Sequence, residues 1–171
     1  MPSAKPAGKA FVMNDRQADQ ATSGPLWLKD PRVAKMVRDT LWRGEQERLF
    51  YELQAWVIMP NHVHVLWQPT APLSKILRWL KGSTAYKANK ILGRTGHAFW
   101  QDESFDHWIR SDNELHRTVR YIEWNPVTAG FVGNPAEWQW SSAGTAGGSA
   151  CPTLQQVAEI AGGSACPTVP K

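Results

Sequence analysis

The sequence predicts an α+β domain built around an antiparallel sheet, and three observations point there. Two strand-like runs, Phe50 to Met59 and His62 to Gln68, are separated only by the tight connection Pro60-Asn61, so they pair antiparallel. Three stretches carry apolar residues at helical spacing, each with a start or stop signal. A further strand-like run, Phe105 to Arg110, lies between the second and third of these stretches. With 171 residues, 42% hydrophobic and 11% aromatic, the chain suits one such domain rather than two.

Residues 1–25 are rich in Ala, Ser, Gly, Asp and Gln, with one apolar patch at Ala10-Phe11-Val12-Met13; they read as a flexible arm or a short first strand. Asp30-Pro31 opens the first helix, where Val33, Met36, Val37, Thr40 and Leu41 form one inward face and Gly44 is expected to stop it. The strand pair follows. A long helix then runs from about Pro72 to Leu92, with Leu73, Ile76, Leu77, Leu80, Thr84, Ala88 and Ile91 as its buried stripe and Gly93 as its stop. After the strand at Phe105, Ser111-Asp112-Asn113-Glu114 has the form of a capping box. The third helix turns Leu115, Thr118, Val119 and Ile122 inward and is expected to end near Asn125, because Pro126 removes a donor and restrains its neighbour. Residues 144–171 form a low-complexity Gly/Ser/Ala tail in which Ala-Gly-Gly-Ser-Ala-Cys-Pro-Thr occurs twice, too few copies for a solenoid. The folded domain is therefore expected over residues 26–143.

Composition narrows the function. No apolar run approaches the ~18 residues of a membrane span, and Met1-Pro2-Ser3-Ala4-Lys5 lacks the apolar core of a secretory signal, so a cytoplasmic protein without a membrane partner is expected. Cys151 and Cys166 both fall in the tail, which leaves no disulfide framework or CxxC metal knuckle for the fold. Net charge is only +4, yet from Leu53 to Gln101 there is no Asp or Glu while Lys75, Arg78, Lys81, Lys87, Lys90 and Arg94 all occur. Such a block suits a polyanion, although a solvated helix face reads the same way.

His62 and His64 are separated by one valine at the start of the second strand, so both imidazoles point to one face and can act as a pair of metal ligands. On the third helix Arg117, Tyr121 and Asn125 recur at i, i+4 and i+8 and share a face. An amide oxygen at Asn125 suits a hard divalent ion, with the Tyr121 phenol one turn away as a nucleophile. Tyr86 has Lys90 at i+4 and Tyr51 has Ala55, neither a ligand for such an ion, so Tyr121 is the better candidate and Tyr86 the fallback. The bland alternatives are a structural HxH and a Tyr121 that merely joins the buried stripe.

Several motifs together carry a family resemblance: Pro60-Asn61-His62-Val63-His64, Phe99-Trp100-Gln101, Phe105-Asp106-His107-Trp108-Ile109-Arg110, Tyr121-Ile122-Glu123-Trp124-Asn125-Pro126-Val127 with Ala129-Gly130-Phe131-Val132, and Trp138-Gln139-Trp140-Ser141-Ser142. In this order the chain resembles the REP-associated tyrosine transposases, a group of HUH single-strand DNA transposases of the IS200-like class. The resemblance implies a ferredoxin-like antiparallel sheet with helices packed on one side. It implies a Mg²⁺ or Mn²⁺ ion held by His62, His64 and Asn125, and Tyr121 attacking single-stranded DNA to leave a 5′-phosphotyrosine. The implied partner is single-stranded DNA bearing repetitive extragenic palindrome hairpins, met in the nucleoid by a monomer or a homodimer. DNA contacts are expected from Lys75, Arg78, Lys81, Lys87, Lys90 and Arg94, from Trp100 and Gln101 as an aromatic platform, and from Arg117.

The family's first strand has only Ala10 to Met13 as its counterpart, which raises an inactive copy as an alternative. Three functions follow as expectations: a metal-dependent, tyrosine-linked DNA endonuclease and strand transferase; a hairpin-binding protein without turnover; and a zinc hydrolase using His62 and His64. A covalent protein–DNA adduct separates the first from the others.

Overall fold

The computed structural model describes residues 11–14, 24–100 and 105–144. Expectations for residues 1–10 and 15–23, for Gln101 and for the tail beyond 144 lie outside the described residues. In chain order the elements are β1 (Phe11–Asn14), α1 (Pro31–Gln46), β2 (Tyr51–Ile58), β3 (Val63–Pro69), α2 (Leu73–Ile91), β4 (Phe105–Trp108) and α3 (Asp112–Thr128). The four strands form one sheet in the order β2-β3-β1-β4, with every neighbouring pair antiparallel. Two split β-α-β units produce this order, and it is the ferredoxin-like sheet expected. The short first strand is present and lies inside the sheet, pairing Val12 with Leu66 on one side and with His107 on the other.

Local chemistry explains the helix limits. Asp30 caps α1 by accepting from the Arg32 N–H at 2.9 Å, and the Arg32 guanidinium closes on the same carboxylate. These contacts lower the Asp30 carboxyl to about 2. Gly44 does not stop α1, which continues to Gln46 with Gly44 buried inside it. The reason is packing: a Cβ at Gly44 would run into the Tyr51 ring, which stacks on Trp67 at 4.8 Å and donates its hydroxyl to Leu41 O at 2.9 Å. The third helix likewise passes its expected end, holding Pro126 inside and closing at Thr128. Proline costs only the bond to the Ile122 carbonyl this close to a terminus, while Ala129, Gly130 and Phe131 N–H groups satisfy Asn125, Val127 and Pro126.

A β-bulge decides which residues face which layer. The β2–β3 register shifts between Leu53 and Ala55, so the alternation changes phase there. Leu53, Trp56 and Ile58 join Val63, Val65 and Trp67 under α1 and α2, in a core with Val37, Leu41, Ile76 and Leu80. Ala55, Val57, Met59 and Leu66 face the other way and pack with Ile109 and Ile122. Thus α1 and α2 lie on one side as expected, and α3 adds a layer on the opposite face. Among the described residues no helix is long and apolar enough to cross a membrane.

The segment after α3 returns to cover the outer edge of β2. Ile58 N–H donates to Trp140 O at 2.8 Å, the Trp138 indole donates to Ile58 O at 3.1 Å, and Ser141 bridges Val57. An open edge is a template for unwanted pairing, and this strap occupies it.

Candidate active site

Met59 to His62 connect β2 to β3, so His62 lies in the turn just before the strand rather than at its start, and Met59 N–H donates to His62 O at 2.8 Å to close that turn. Leu28 N–H donates to Pro60 O at 3.1 Å, so the segment leading into α1 holds the turn from outside. The turn delivers His62 and His64 to the face covered by α3, with ring centroids 4.6 Å apart. Both are buried.

Across from them, α3 presents Tyr121 and Asn125 one turn apart. The Asn125 amide nitrogen lies 3.3 Å from His64 Nε2, and the Tyr121 ring meets the His64 ring edge-on at 5.6 Å between centroids. Asn125 is buried, whereas Tyr121 keeps 44% of its surface exposed. His62 Nδ1 lies 2.7 Å from the Asn61 amide oxygen, within hydrogen-bond distance of that acceptor. Burial, and secondarily the nearby His62, lower His64 to about 3, so its imidazole is neutral at physiological pH.

The donor chemistry fits a divalent cation. Two imidazoles and a carboxamide sit together, and rotation of the Asn125 amide exchanges its nitrogen for its oxygen beside His64. His62, His64 and Asn125 are the residues that would hold it.

The remaining expected site residues are distributed differently. Arg117 lies exposed on α3 one turn before Tyr121, its Nε donating to Asn113 O at 3.3 Å. Lys75, Arg78, Lys81, Lys87 and Lys90 all lie on α2, on the other side of the sheet from Tyr121. Lys75 reaches over the Phe50 ring at 5.2 Å, and the Arg94 guanidinium lies 3.8 Å over Trp27. Trp100 is half-buried against that same core, donating its indole N–H to Thr84 Oγ1 at 2.8 Å and meeting Phe99 edge-on. His107 is satisfied by Glu114, whose carboxylate also accepts from Arg110 N–H, so the reverse arm of the expected capping box turns one residue upstream.

Two groups near the site escaped the sequence reading. Arg120 and Trp124 share the exposed face of α3 with Arg117 and Tyr121, the Arg120 guanidinium lying 5.6 Å over the Trp124 ring. Extending the i, i+4 rule from Arg117 to its i+3 and i+7 neighbours would have found both. Glu123 on the other flank of α3 meets Ser142 of the strap at 3.0 Å, a contact no local spacing reveals. Burial raises the Glu123 pKa and the Ser142 hydrogen bond opposes the rise.

A ferredoxin-like sheet thus carries two histidines that face a tyrosine and an amide on an overlying helix. The family model described as "Transposase IS200 like" matches residues 27–125, and the chain belongs to that family. It is 29% identical to the REP-associated tyrosine transposase of Escherichia coli K12 over 63% of each chain. A second curated relative, from Haemophilus influenzae, is also 29% identical, over 54% of this chain and 58% of its own. The chain thus spans about three fifths of the length of these relatives. A solved structure of a REP-associated tyrosine transposase bound to a REP hairpin shares the fold, with TM-score 0.55, 22% identity, and 83% and 82% of the two chains covered.

Proposed function

We propose that this protein is a divalent-metal-dependent single-strand DNA endonuclease and strand transferase that acts beside DNA hairpins through a phosphotyrosine intermediate. The observation that carries the reading is the meeting of His64 from β3 with Tyr121 and Asn125 from α3, groups distant in sequence and adjacent in the fold. Family membership supports the reaction class, and the hairpin-bound structural neighbour supports the substrate.

His62, His64 and Asn125 would hold a Mg²⁺ or Mn²⁺ ion, which would supply Lewis-acid polarisation of the scissile phosphate. Tyr121 Oη attacks phosphorus in line and gives up its proton as the bond forms. The bond from phosphorus to the 3′ oxygen breaks, and that oxygen takes a proton to become a free 3′-hydroxyl. Attack by a 3′-hydroxyl on the phosphotyrosine reverses the step, so strands rejoin without ATP. Arg117 and Arg120 suit backbone phosphates, and Trp124 offers a ring to an unstacked base.

Denaturing electrophoresis of the protein with labelled single-stranded DNA carrying hairpins from its own genomic flanks, with Mg²⁺ or Mn²⁺, tests this. A covalent adduct is expected from the wild type and none from Tyr121→Phe, which should still bind the DNA. Hairpin binding without an adduct in the wild type would leave a binding protein, and cleavage retained in the variant would move the nucleophile to Tyr86 or water.

A further inference from the structure

We infer that Glu123 and Ser142 form a positioning clamp that sets the roll of α3, and so the aim of Tyr121 and Asn125 at His64. The inference rests on the reading of Tyr121 and Asn125 given above and extends it to residues outside the reacting group. The buried stripe of α3 is apolar, with Leu115, Val119 and Ile122 against Ala55, Val57 and Leu66. Apolar contact is non-directional and leaves a helix free to roll by small angles. Tyr121 and Glu123 lie on opposite flanks of that stripe, so a directional bond at Glu123 limits rotation at Tyr121.

The bond is anchored firmly. Ser142 Oγ accepts from Trp56 N–H at 3.2 Å, lies 3.3 Å from Trp56 O, and meets Glu123 Oε1 at 3.0 Å. Ser142 is buried, and the strap that carries it is pinned to Ile58 by Trp138 and Trp140. Trp56 pairs with Val65, and Val57 pairs with His64 itself. Glu123 is therefore tied to the strand pair that presents the histidine, and the path from one side of the site to the other is short.

The test compares Glu123→Ala, Glu123→Gln and Ser142→Ala in the full chain. Its readouts are DNA affinity, the single-turnover rate of adduct formation at saturating DNA, and the His64 side-chain resonances of ¹⁵N-labelled, metal-free protein. Both alanine variants should bind DNA as the wild type does and form adduct about 10- to 100-fold more slowly, as expected for a small misplacement of reacting groups. Their His64 Nε2 signal should move toward its position in Asn125→Ala. Glu123→Gln, whose amide oxygen still accepts from Ser142, should restore most of the rate and the wild-type signal. An unmoved His64 signal in both alanine variants, or a glutamine variant as defective as alanine, would overturn the clamp; if an alanine variant fails to fold, the glutamine variant and the other alanine variant decide. A wild type that forms no adduct would instead overturn the nuclease reading, and the His64 resonances would still judge the clamp.

Discussion

His64 is neutral because the protein leaves it no water with which to solvate a charge. Its pKa falls from 6.5 to about 3, chiefly through burial, so the unfolded chain takes up a proton in a range where the folded chain does not. The contribution to stability is therefore complete above about pH 6.5 and is lost as pH falls toward 3. Urea unfolding of wild type and His64→Asn at pH 7 and pH 4 should show the wild type losing about 2 to 3 kcal/mol more than the variant across that range. Equal losses would mean that this imidazole is solvated. The same neutrality favours cation binding, since no proton must be displaced from Nε2.

Among the elements, α1 shows how a local signal yields to packing. Gly44 looks like a helix stop, but its missing Cβ makes room for Tyr51, whose ring and hydroxyl join α1 to the sheet. Gly44→Ala adds a favourable helix residue and should nevertheless destabilise the protein by about 1 to 3 kcal/mol through overpacking, read as a lower denaturation midpoint. A gain in stability would show that Tyr51 can move aside. What the sequence makes legible here is local and periodic: the Pro60-Asn61 turn, the helical stripes, the HxH on one strand face, and the four-residue step from Tyr121 to Asn125. Tertiary context hides the rest. The extra residue at Gln54 shifts the phase of β2, which sends Val57 rather than Trp56 toward α3, and an alternating pattern does not show a bulge when both faces are buried. Trp100 reads as an exposed platform until Thr84, on another element, claims its indole N–H.

On the scale of the whole molecule, the sheet divides two kinds of surface. Tyr121, Arg117, Arg120 and Trp124 lie on the α3 side, and the exposed Lys75, Arg78 and Lys90 lie on the α2 side. If both surfaces hold one DNA, replacing Lys75, Arg78 and Lys90 by Glu should weaken hairpin binding and flatten its salt dependence by about one log unit per lost phosphate contact, without changing adduct formation at saturating DNA. An unchanged salt slope would confine the DNA to the α3 side. The placement of β1 has its own test. Val12→Pro removes a ladder donor from a strand with neighbours on both sides and should cost about 3 kcal/mol or more, seen as loss of cooperative unfolding; a tolerated proline would mean β1 is dispensable. That placement also governs the order of assembly. Phe11 pairs with both Trp67 and Trp108, so β1 must wait for β3 and then for β4, the last described strand of the sheet. The β2–β3 hairpin and its helices can form early, whereas the sheet closes only after nearly the whole domain has been made. Such late, distant pairing makes for slow folding with a transiently open sheet edge, and the nascent chain is most exposed to misassociation in that interval.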